Sequence, residues 1–396
     1  MHPTRLTSVV RLGGCILTCA ALNLACGPQP IGTSEHNSQL QIFKKSKFQQ
    51  GLAFLDERLH DKALVGDETT RARRWRLQWD PGKCTSPKGP ALQITTELDS
   101  FDQRNAYWLS WLSIQAYRRI DAADQLQKIG LPQVDFIDDK STSFQAFVGS
   151  NEKYVVVSFA GTSDVVDYLT DVTFASKPEP FSSIPGRVHT GFVNVLEKSW
   201  PRLLELIKKH TASHKPVILT GHSLGGAQAV LSATRLALLG FKVDSLYIYA
   251  VPRVGDKTYA QFVSRLFPNR IYRFVNNEDI VPRLPPPRDA AENFSQIFPE
   301  ESREPVRTVF ETLDYAHVGQ VLVQDRKGEL SMPREYSEGE DAAYWDEVIG
   351  RSKGRSIPAM VFANWRMLFD HIPFAGHCQL KAPKSVVSSF TTHISE

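Results

Sequence analysis

A serine between glycines at a predicted strand-to-helix corner is the feature of this sequence best suited to chemistry. Gly221-His222-Ser223-Leu224-Gly225 fits the pattern G-x-S-x-G, follows the apolar run KPVILT and precedes a helical pattern over 224–240. In a nucleophile elbow of this kind the serine stands exposed on a strained backbone, and the glycines let strand and helix approach closely. The helix N-terminus also favours a developing negative charge. The pattern predicts that Ser223 is a nucleophile; the plainer interpretation is a tight packing turn.

Such a serine needs a scaffold, and the sequence around it alternates between apolar runs and helical patterns. Apolar, β-branched runs predict strands, whereas apolar residues three and four positions apart predict helices. The predicted strands lie in 154–162, 215–223, 245–252 and the start of 270–287, and the predicted helices lie in 164–172, 200–210, 224–240 and 257–267. This alternation is typical of an α/β protein with a mostly parallel central sheet and helices on both faces.

Three further segments have patterns of their own. Residues 101–120 place apolar side chains at helical spacing, which predicts a long amphipathic helix. Residues 319–330 resemble a hairpin that turns at Lys327-Gly328. Residues 331–356 are acidic and polar, and we expect a surface insertion, because a long surface loop costs little additional entropy.

Several segments, in order along the chain, resemble the class 3 lipase family, the α/β-hydrolases related to secreted fungal triacylglycerol lipases. The resemblance covers roughly residues 97–380. It is carried by NAYWLSWLSIQAY, VVVSFAGTSDVVDYLTDVTF, VHTGFVNVLEKSW, GHSLGGA, YIYAVPRVGD and NNEDIVPRLPPP. The chain departs from the family at Phe159-Ala160-Gly161, where Phe-Arg-Gly is common, and at Ala250-Val251-Pro252, where Gly-Ser-Pro is common. The resemblance implies an α/β-hydrolase fold and hydrolysis of a carboxylic ester through an acyl-enzyme, without a metal or organic cofactor.

The acid of such a site must hold the imidazole of the base in one tautomer. Asp279 lies just past a predicted strand and before a proline-stiffened stretch. It follows Ser223 by 56 residues, in the order nucleophile, acid, base that is expected for this fold. Asp279 is therefore the predicted acid, and the neighbouring Glu278 is the alternative.

The oxyanion donors and the lid are implied by the resemblance. It assigns the donors to the backbone N–H of Leu224 and to Thr162, which could also cap a helix. It assigns residues 163–173 to a lid with one apolar face, and an ordinary surface helix is the alternative. His222 and His189 are interpreted as supporting residues.

The base has several candidates. The family places two histidines in this part of the chain, a supporting one before a strand and the base close to the C-terminus. His317 in DYAHVGQVLV matches the first pattern, and His371 in MLFDHIPFAGHC matches the second. The resemblance thus makes His371 the predicted base, His317 the alternative and His377 a weaker third choice.

The first 26 residues have the pattern of an export signal. Arg5 and Arg11 precede an uncharged stretch of 14 residues, which is too short to span a bilayer. Ala25-Cys26-Gly27 fits a lipoprotein cleavage site with Cys26 as the lipidated first residue, and ordinary secretory cleavage is the alternative. The expected division is a leader at 1–26, a tether and N-terminal extension at 27–95, and a hydrolase domain at 96–396.

The cysteines and the net charge bear on disulfide pairing and on binding partners. Only Cys84 and Cys378 lie outside the leader, and they either pair in an oxidising compartment or are two unrelated buried thiols. A formal net charge of +3 over 396 residues gives no support for a nucleic-acid partner, and no obligate protein partner is evident.

The expected substrates are lipid esters, acylglycerols or phospholipids, met at a membrane or lipid interface. Esters of short-chain acids or aryl alcohols are an alternative. A peptidase or thioesterase on the same fold is a second alternative, since the triad alone does not exclude it. A third is a catalytically silent, lipase-like surface lipoprotein that only binds lipid.

Overall fold

An eight-stranded sheet runs through the described part of the chain. The computed structural model describes residues 92–118, 122–161, 175–181, 183–212, 214–296, 300–325, 329–332, 338–351 and 370–371, all within one compact unit, Phe43–Glu396. The predicted leader, the tether up to residue 91, the lid, Cys84 and Cys378 lie outside these residues. No helix within the described ranges is both long and apolar enough to cross a membrane.

Strands and helices alternate along the described residues. The strands are β1 (Gln133–Asp139), β2 (Phe144–Ser150), β3 (Val155–Phe159), β4 (Ser176–Pro178), β5 (Arg187–His189), β6 (Val217–His222), β7 (Val243–Tyr249), β8 (Gly255–Asp256), β9 (Ile271–Asn276), β10 (Tyr315–Ala316), β11 (Gln320–Gln324) and β12 (Leu330–Ser331). The α-helices are α1 (Gln103–Arg118), α2 (Ala123–Lys128), α3 (Thr190–His210), α4 (Leu224–Leu238), α5 (Lys257–Leu266), α6 (Ala291–Ser295), α7 (Glu300–Leu313) and α8 (Glu338–Arg351).

The large sheet has the strand order β1-β2-β3-β6-β7-β9-β11-β12. Its five central strands, from β3 to β11, are parallel, while β1 and β2 extend one side and β12 the other in antiparallel pairing. The mostly parallel α/β-hydrolase sheet and the β11–β12 hairpin are therefore confirmed. A smaller antiparallel sheet has the order β10-β8-β5-β4.

Helices cover both faces of the large sheet. Successive strand residues point to opposite faces, so Val157 packs with α3 and α4, whereas Val156 packs with α1. Helix α1 is buried at every residue from Asn105 to Ala116, not only on the face predicted to be apolar. Part of its outer side is covered by the chain before it, where Thr95 N–H donates to Asn105 Oδ1 at 2.9 Å.

Helices α6, α7 and α8 form a helical unit with its own apolar core. Trp345 of α8 is 1% exposed and packs edge-on against Phe294, with 4.9 Å between ring centroids. Phe294 packs in the same way against Phe310 of α7. Part of the segment predicted to be a polar insertion, Glu338–Arg351, is a helix, and Trp345 and Val348, one turn apart, give this acidic stretch a buried face.

Candidate active site

Ser223 lies at the corner between β6, which ends at His222, and α4, which begins at Leu224. Its φ of 58° and ψ of −129° place it in a left-handed conformation that residues with a Cβ rarely adopt. Its N–H donates to the Tyr249 carbonyl at 2.8 Å, which ties the corner to β7. The serine is thus held on a strained turn at the carboxyl edge of the parallel strands.

The two glycines of the G-x-S-x-G pattern are required by close backbone contacts. A Cβ on Gly221 would lie 2.4 Å from the Gly225 carbonyl carbon, and a Cβ on Gly225 would lie 2.3 Å from the Phe159 carbonyl oxygen. Any larger residue would have to push β6, α4 and β3 apart. The glycine spacing in the sequence follows from this packing of two strands against one helix.

The backbone at the start of α4 favours negative charge. Leu224 is the first residue of the helix, and first-turn N–H groups have no partner within a helix. Thr162, the other predicted oxyanion donor, lies outside the described residues. The residue before it, Gly161, packs against the elbow so closely that a Cβ there would lie 2.9 Å from Ser223 Cβ.

Asp279 follows β9 and carries the carboxylate that contacts the predicted base. Both of its carboxylate oxygens lie 3.0 Å from His371 Nδ1, and Oδ1 also accepts from the Val281 N–H at 2.9 Å. Asp279 is 0% exposed. The contact to His371 involves Asp279 and not Glu278, the alternative acid considered from the sequence.

His371 lies beside the elbow. Its backbone carbonyl accepts from His222 Nε2 at 2.7 Å, and the two imidazole centroids are 4.7 Å apart. Because Nδ1 faces Asp279, Nε2 is the ring nitrogen left to accept a proton. Within the described residues, His371 Nε2 and Ser223 Oγ are both buried and have no hydrogen-bond partner. The two atoms are thus not hydrogen-bonded to each other, and the contact of His371 with His222 places the predicted base next to the residue that precedes Ser223.

The loop that carries Asp279 also holds the segment that carries His371. The Asn276 side chain donates to the Asp370 carbonyl at 2.7 Å. The Asn277 side chain and the Glu278 N–H donate to the Asp370 carboxylate at 2.8 and 3.2 Å. Burial raises the pKa of Asp370, against the effect of these two donors. Acid and base are thus joined by four residues besides their own contact.

The helical unit packs on the loop that carries Asp279, which we call the acid loop. Tyr344 of α8 donates its hydroxyl to the Glu278 carbonyl at 3.1 Å. The Arg283 guanidinium lies 4.8 Å from the centre of the Tyr344 ring, at a distance typical of a cation–π contact. The sequence analysis missed these contacts, although Tyr344 and Trp345 were the available signal in an otherwise polar stretch.

His317, the alternative base, contacts the loop after Asp279. Its Nε2 donates to the Pro282 carbonyl at 2.8 Å. Burial, followed by the charges of Arg273 and Arg253, lowers the pKa of His317 well below its usual value, so the ring is neutral. His377, the third candidate, lies outside the described residues.

His189 has a structural position. Its Nδ1 accepts from the Gly191 N–H at 3.1 Å and caps α3, and its ring stacks on Phe192 with 4.1 Å between centroids. Burial lowers the pKa of His189 to about 4. The ring is therefore a neutral helix cap at physiological pH.

A second group of serine, histidine and aspartate occurs at the opposite edge of the sheet. Ser150 Oγ lies 2.7 Å from His210 Nδ1, and His210 Nε2 lies 2.8 Å from Asp135 Oδ2. Lys209 Nζ pairs with the same carboxylate oxygen at 2.7 Å. We call these four residues the Ser150 cluster, and Ser223, Asp279 and His371 the Ser223 cluster. No local sequence pattern indicates the Ser150 cluster, because β1, β2 and α3 supply its members.

Metal-ligating residues are not grouped in the described part of the chain. No three histidine, cysteine, aspartate or glutamate side chains there are placed to hold a metal ion.

Comparisons with known proteins point to one family. Residues 156–289 match the family model described as Lipase (class 3). The chain is 36% identical over 153 residues to a secreted mono- and diacylglycerol lipase of Fusarium solani, covering 37% of this chain and 44% of that one. It is 37% identical over 147 residues to a lipase of Rhizomucor miehei, covering 35% and 39%. The chain thus spans less than half the length of these two relatives.

A solved structure that matches a larger share of the chain is the Rhizomucor miehei lipase propeptide complex. It covers 76% of this chain and 89% of that one, with 19% identity and a TM-score of 0.48.

Proposed function

The chain belongs to the class 3 lipase family through residues 156–289, and from that premise we propose that it hydrolyses carboxylic esters of lipids. The observation that carries the proposal is the pair of buried atoms without partners, Ser223 Oγ and His371 Nε2, beside the His371–Asp279 contact. A nucleophile, a base within the same site and an acid that orients the base are the parts that acyl transfer needs.

The proposed reaction proceeds in two halves. Ser223 Oγ attacks the ester carbonyl carbon, and its proton passes to His371 Nε2. The tetrahedral oxyanion accepts hydrogen bonds from the Leu224 N–H and from Thr162. Collapse breaks the bond to the alcohol, which leaves with the proton from His371, and an acyl-serine remains. Water then attacks the acyl-serine and gives a proton to His371. As the acyl–oxygen bond breaks, His371 returns this proton to Ser223 Oγ, and the carboxylic acid leaves.

Asp279 has an orienting role in this scheme. Its carboxylate receives the Nδ1–H of His371, which keeps Nε2 directed to the reacting atoms and stabilises the imidazolium that forms. The bonds from Asn276, Asn277 and Glu278 to Asp370 support the same orientation, because they fix the backbone next to His371.

The proposed substrates are acylglycerols, and phospholipids are the alternative class of lipid ester. One relative is named a secreted mono- and diacylglycerol lipase, which favours acylglycerols and also an exported protein. The basic, then apolar residues before Cys26 agree with export, and acylation of Cys26 would anchor the protein to a membrane. In cell fractions, the Cys26→Ser variant should then move from the membrane to the soluble fraction.

Two measurements test the activity. Full-length protein is incubated with a fluorophosphonate probe, and labelling is compared between wild type and Ser223→Ala. Initial rates are then measured on mono-, di- and triacylglycerols, phosphatidylcholine and p-nitrophenyl esters of increasing chain length. We expect labelling that depends on Ser223 and fastest turnover of an acylglycerol. Folded wild-type protein that takes no label and hydrolyses none of these esters would contradict the proposal and favour a lipid-binding protein.

A further inference from the structure

A chain of two hydrogen bonds in series connects the last turn of α1 to the predicted base. The Tyr117 hydroxyl also packs against the end of β3, where a Cβ on Gly161 would lie 2.5 Å from it. Tyr117 Oη lies 2.9 Å from His222 Nδ1. His222 Nε2 lies 2.7 Å from the His371 carbonyl oxygen. The two bonds join three separate segments: the last turn of α1, the elbow and the segment that carries His371.

Each bond in this chain has only one possible direction. The His371 carbonyl can only accept, so His222 Nε2 must carry the hydrogen. Burial, followed by the charge of His371, lowers the pKa of His222 well below its usual value, so the ring is neutral and Nδ1 is an acceptor. Tyr117 must therefore donate to Nδ1, and burial raises the pKa of its phenol, which keeps that proton in place.

The chain of bonds ends on a backbone carbonyl and not on a reacting atom. It therefore has no means of passing a proton to Ser223 or to the imidazole nitrogens of His371. What it can do is fix the position of the His371 backbone relative to the elbow, through an atom other than the one that contacts Asp279. Small displacements of a base cost rate, because proton transfer requires hydrogen-bond distance in the reacting complex.

We propose that Tyr117 and His222 are positioning residues that set the place of His371 with respect to Ser223. Asp279 orients the His371 ring through Nδ1, while Tyr117 and His222 hold its main chain. The inference rests on the proposed function, since it takes His371 to be the base. It adds that the residue before the nucleophile and a tyrosine 105 positions earlier act on turnover without touching substrate.

The first test compares two tyrosine variants. Tyr117→Phe removes the donor to His222 Nδ1, and we expect about a tenfold lower kcat on a p-nitrophenyl ester, in line with loss of one buried hydrogen bond, with KM unchanged. Tyr272→Phe is the matched control, because it removes a hydroxyl that donates to the Asn269 carbonyl at 2.8 Å, at the start of β9 and away from the elbow. Its kcat should equal that of wild type.

The second test exchanges the imidazole of His222. His222→Gln keeps an amide N–H for the His371 carbonyl and an amide oxygen for Tyr117, and it should retain most of the wild-type kcat. His222→Leu keeps neither group and should lose at least as much kcat as Tyr117→Phe. Active-site titration of each preparation with the fluorophosphonate probe normalises kcat to folded enzyme.

The third test separates positioning from general stability. In a His371→Ala background the base is gone, so Tyr117→Phe should no longer lower the residual rate, and the two changes should be strongly non-additive. A wild-type kcat in Tyr117→Phe would overturn the proposal, as would an equal loss in the presence and absence of His371. If wild type itself shows neither label nor hydrolysis, it is the proposed function that fails.

Discussion

The Ser223 and Ser150 clusters contain the same three residue types at opposite edges of one sheet. Their histidine–aspartate distances are similar, 3.0 Å for His371 and Asp279 against 2.8 Å for His210 and Asp135. In the Ser150 cluster both imidazole nitrogens have partners. In the Ser223 cluster one nitrogen faces the aspartate, and the other has no partner among the described residues.

The backbones of the two serines differ as well. Ser150 ends β2, where it pairs with Gln133 and Val155 as an ordinary strand residue. Ser223 stands at φ 58° at the start of α4. The two clusters therefore share residue types but not surroundings. On the proposed function, an unpaired imidazole nitrogen, a strained corner and a helix N-terminus are what suit the Ser223 cluster to nucleophilic chemistry.

The largest expected effect comes from removing each serine hydroxyl. Ser223→Ala should lower turnover by on the order of a million-fold, as loss of a nucleophile within a triad typically does. Ser150→Ala should leave kcat and KM on a p-nitrophenyl ester unchanged, because its hydroxyl contacts only the side chains of His210 and Gln133 among the described residues. Comparable activity loss in both variants would end the distinction between the clusters.

The next effect concerns the aspartates. Asp279→Asn leaves the shape of the site intact but favours the wrong tautomer of His371, and kcat should fall about 10⁴-fold. Asp135→Asn should keep the wild-type kcat, since its partners are His210 and Lys209. Steady-state rates of the two purified variants give the comparison directly. A fall of less than tenfold in Asp279→Asn would return Glu278 to consideration as the acid.

The smallest expected effect is a pH dependence of the free energy of unfolding, which arises from His210 in the Ser150 cluster. Burial, followed by the charges of Lys209 and Lys215, lowers the pKa of His210, against the opposing effect of Asp135. Below about pH 6.5, the usual histidine value, the unfolded chain binds a proton that native His210 does not. The free energy of unfolding therefore decreases as the pH falls, by at most about 1.4 kcal/mol per pH unit for one group.

Urea unfolding between pH 7 and pH 5 measures this slope. The His210→Gln variant should show a shallower decrease than wild type, and its kcat at pH 7 should be unchanged. His214→Gln, at an exposed position, is the control and should follow wild type. An identical slope in His210→Gln and wild type would show that His210 does not contribute to the acid sensitivity.

Local patterns were sufficient to predict the elements around the elbow. The run before Ser223 and the helical pattern after it became β6 and α4, because strand, turn and helix are adjacent in the chain. Asp279 was predicted from its place after a strand, and its contact with His371 joins residues 92 positions apart. For His371 the residues alone left His317 open, and the family resemblance made the choice.

Contacts between distant segments could not be predicted from patterns. The Tyr117–His222 bond and the Ser150 cluster each depend on side chains from separate elements whose packing no local pattern encodes. The helical unit was missed for another reason. Helix α8 buries Trp345 and Val348, but these two large apolar residues stand in a stretch with five Asp and Glu residues, so the acidic composition dominates the pattern. For the same reason, strands β1 and β2, with their mixed polar residues, were not predicted.

The bonds from Asn276, Asn277 and Glu278 to Asp370 join two loops that the helical unit separates in the chain. Synthesis from the N-terminus therefore releases the elbow and the acid loop from the ribosome long before the base segment. A nascent or prematurely terminated chain that stops before residue 370 has Ser223 and Asp279 but lacks His371, the proposed acceptor of the serine proton. On the proposed assignment, translation itself delays activity until residue 371 has been made.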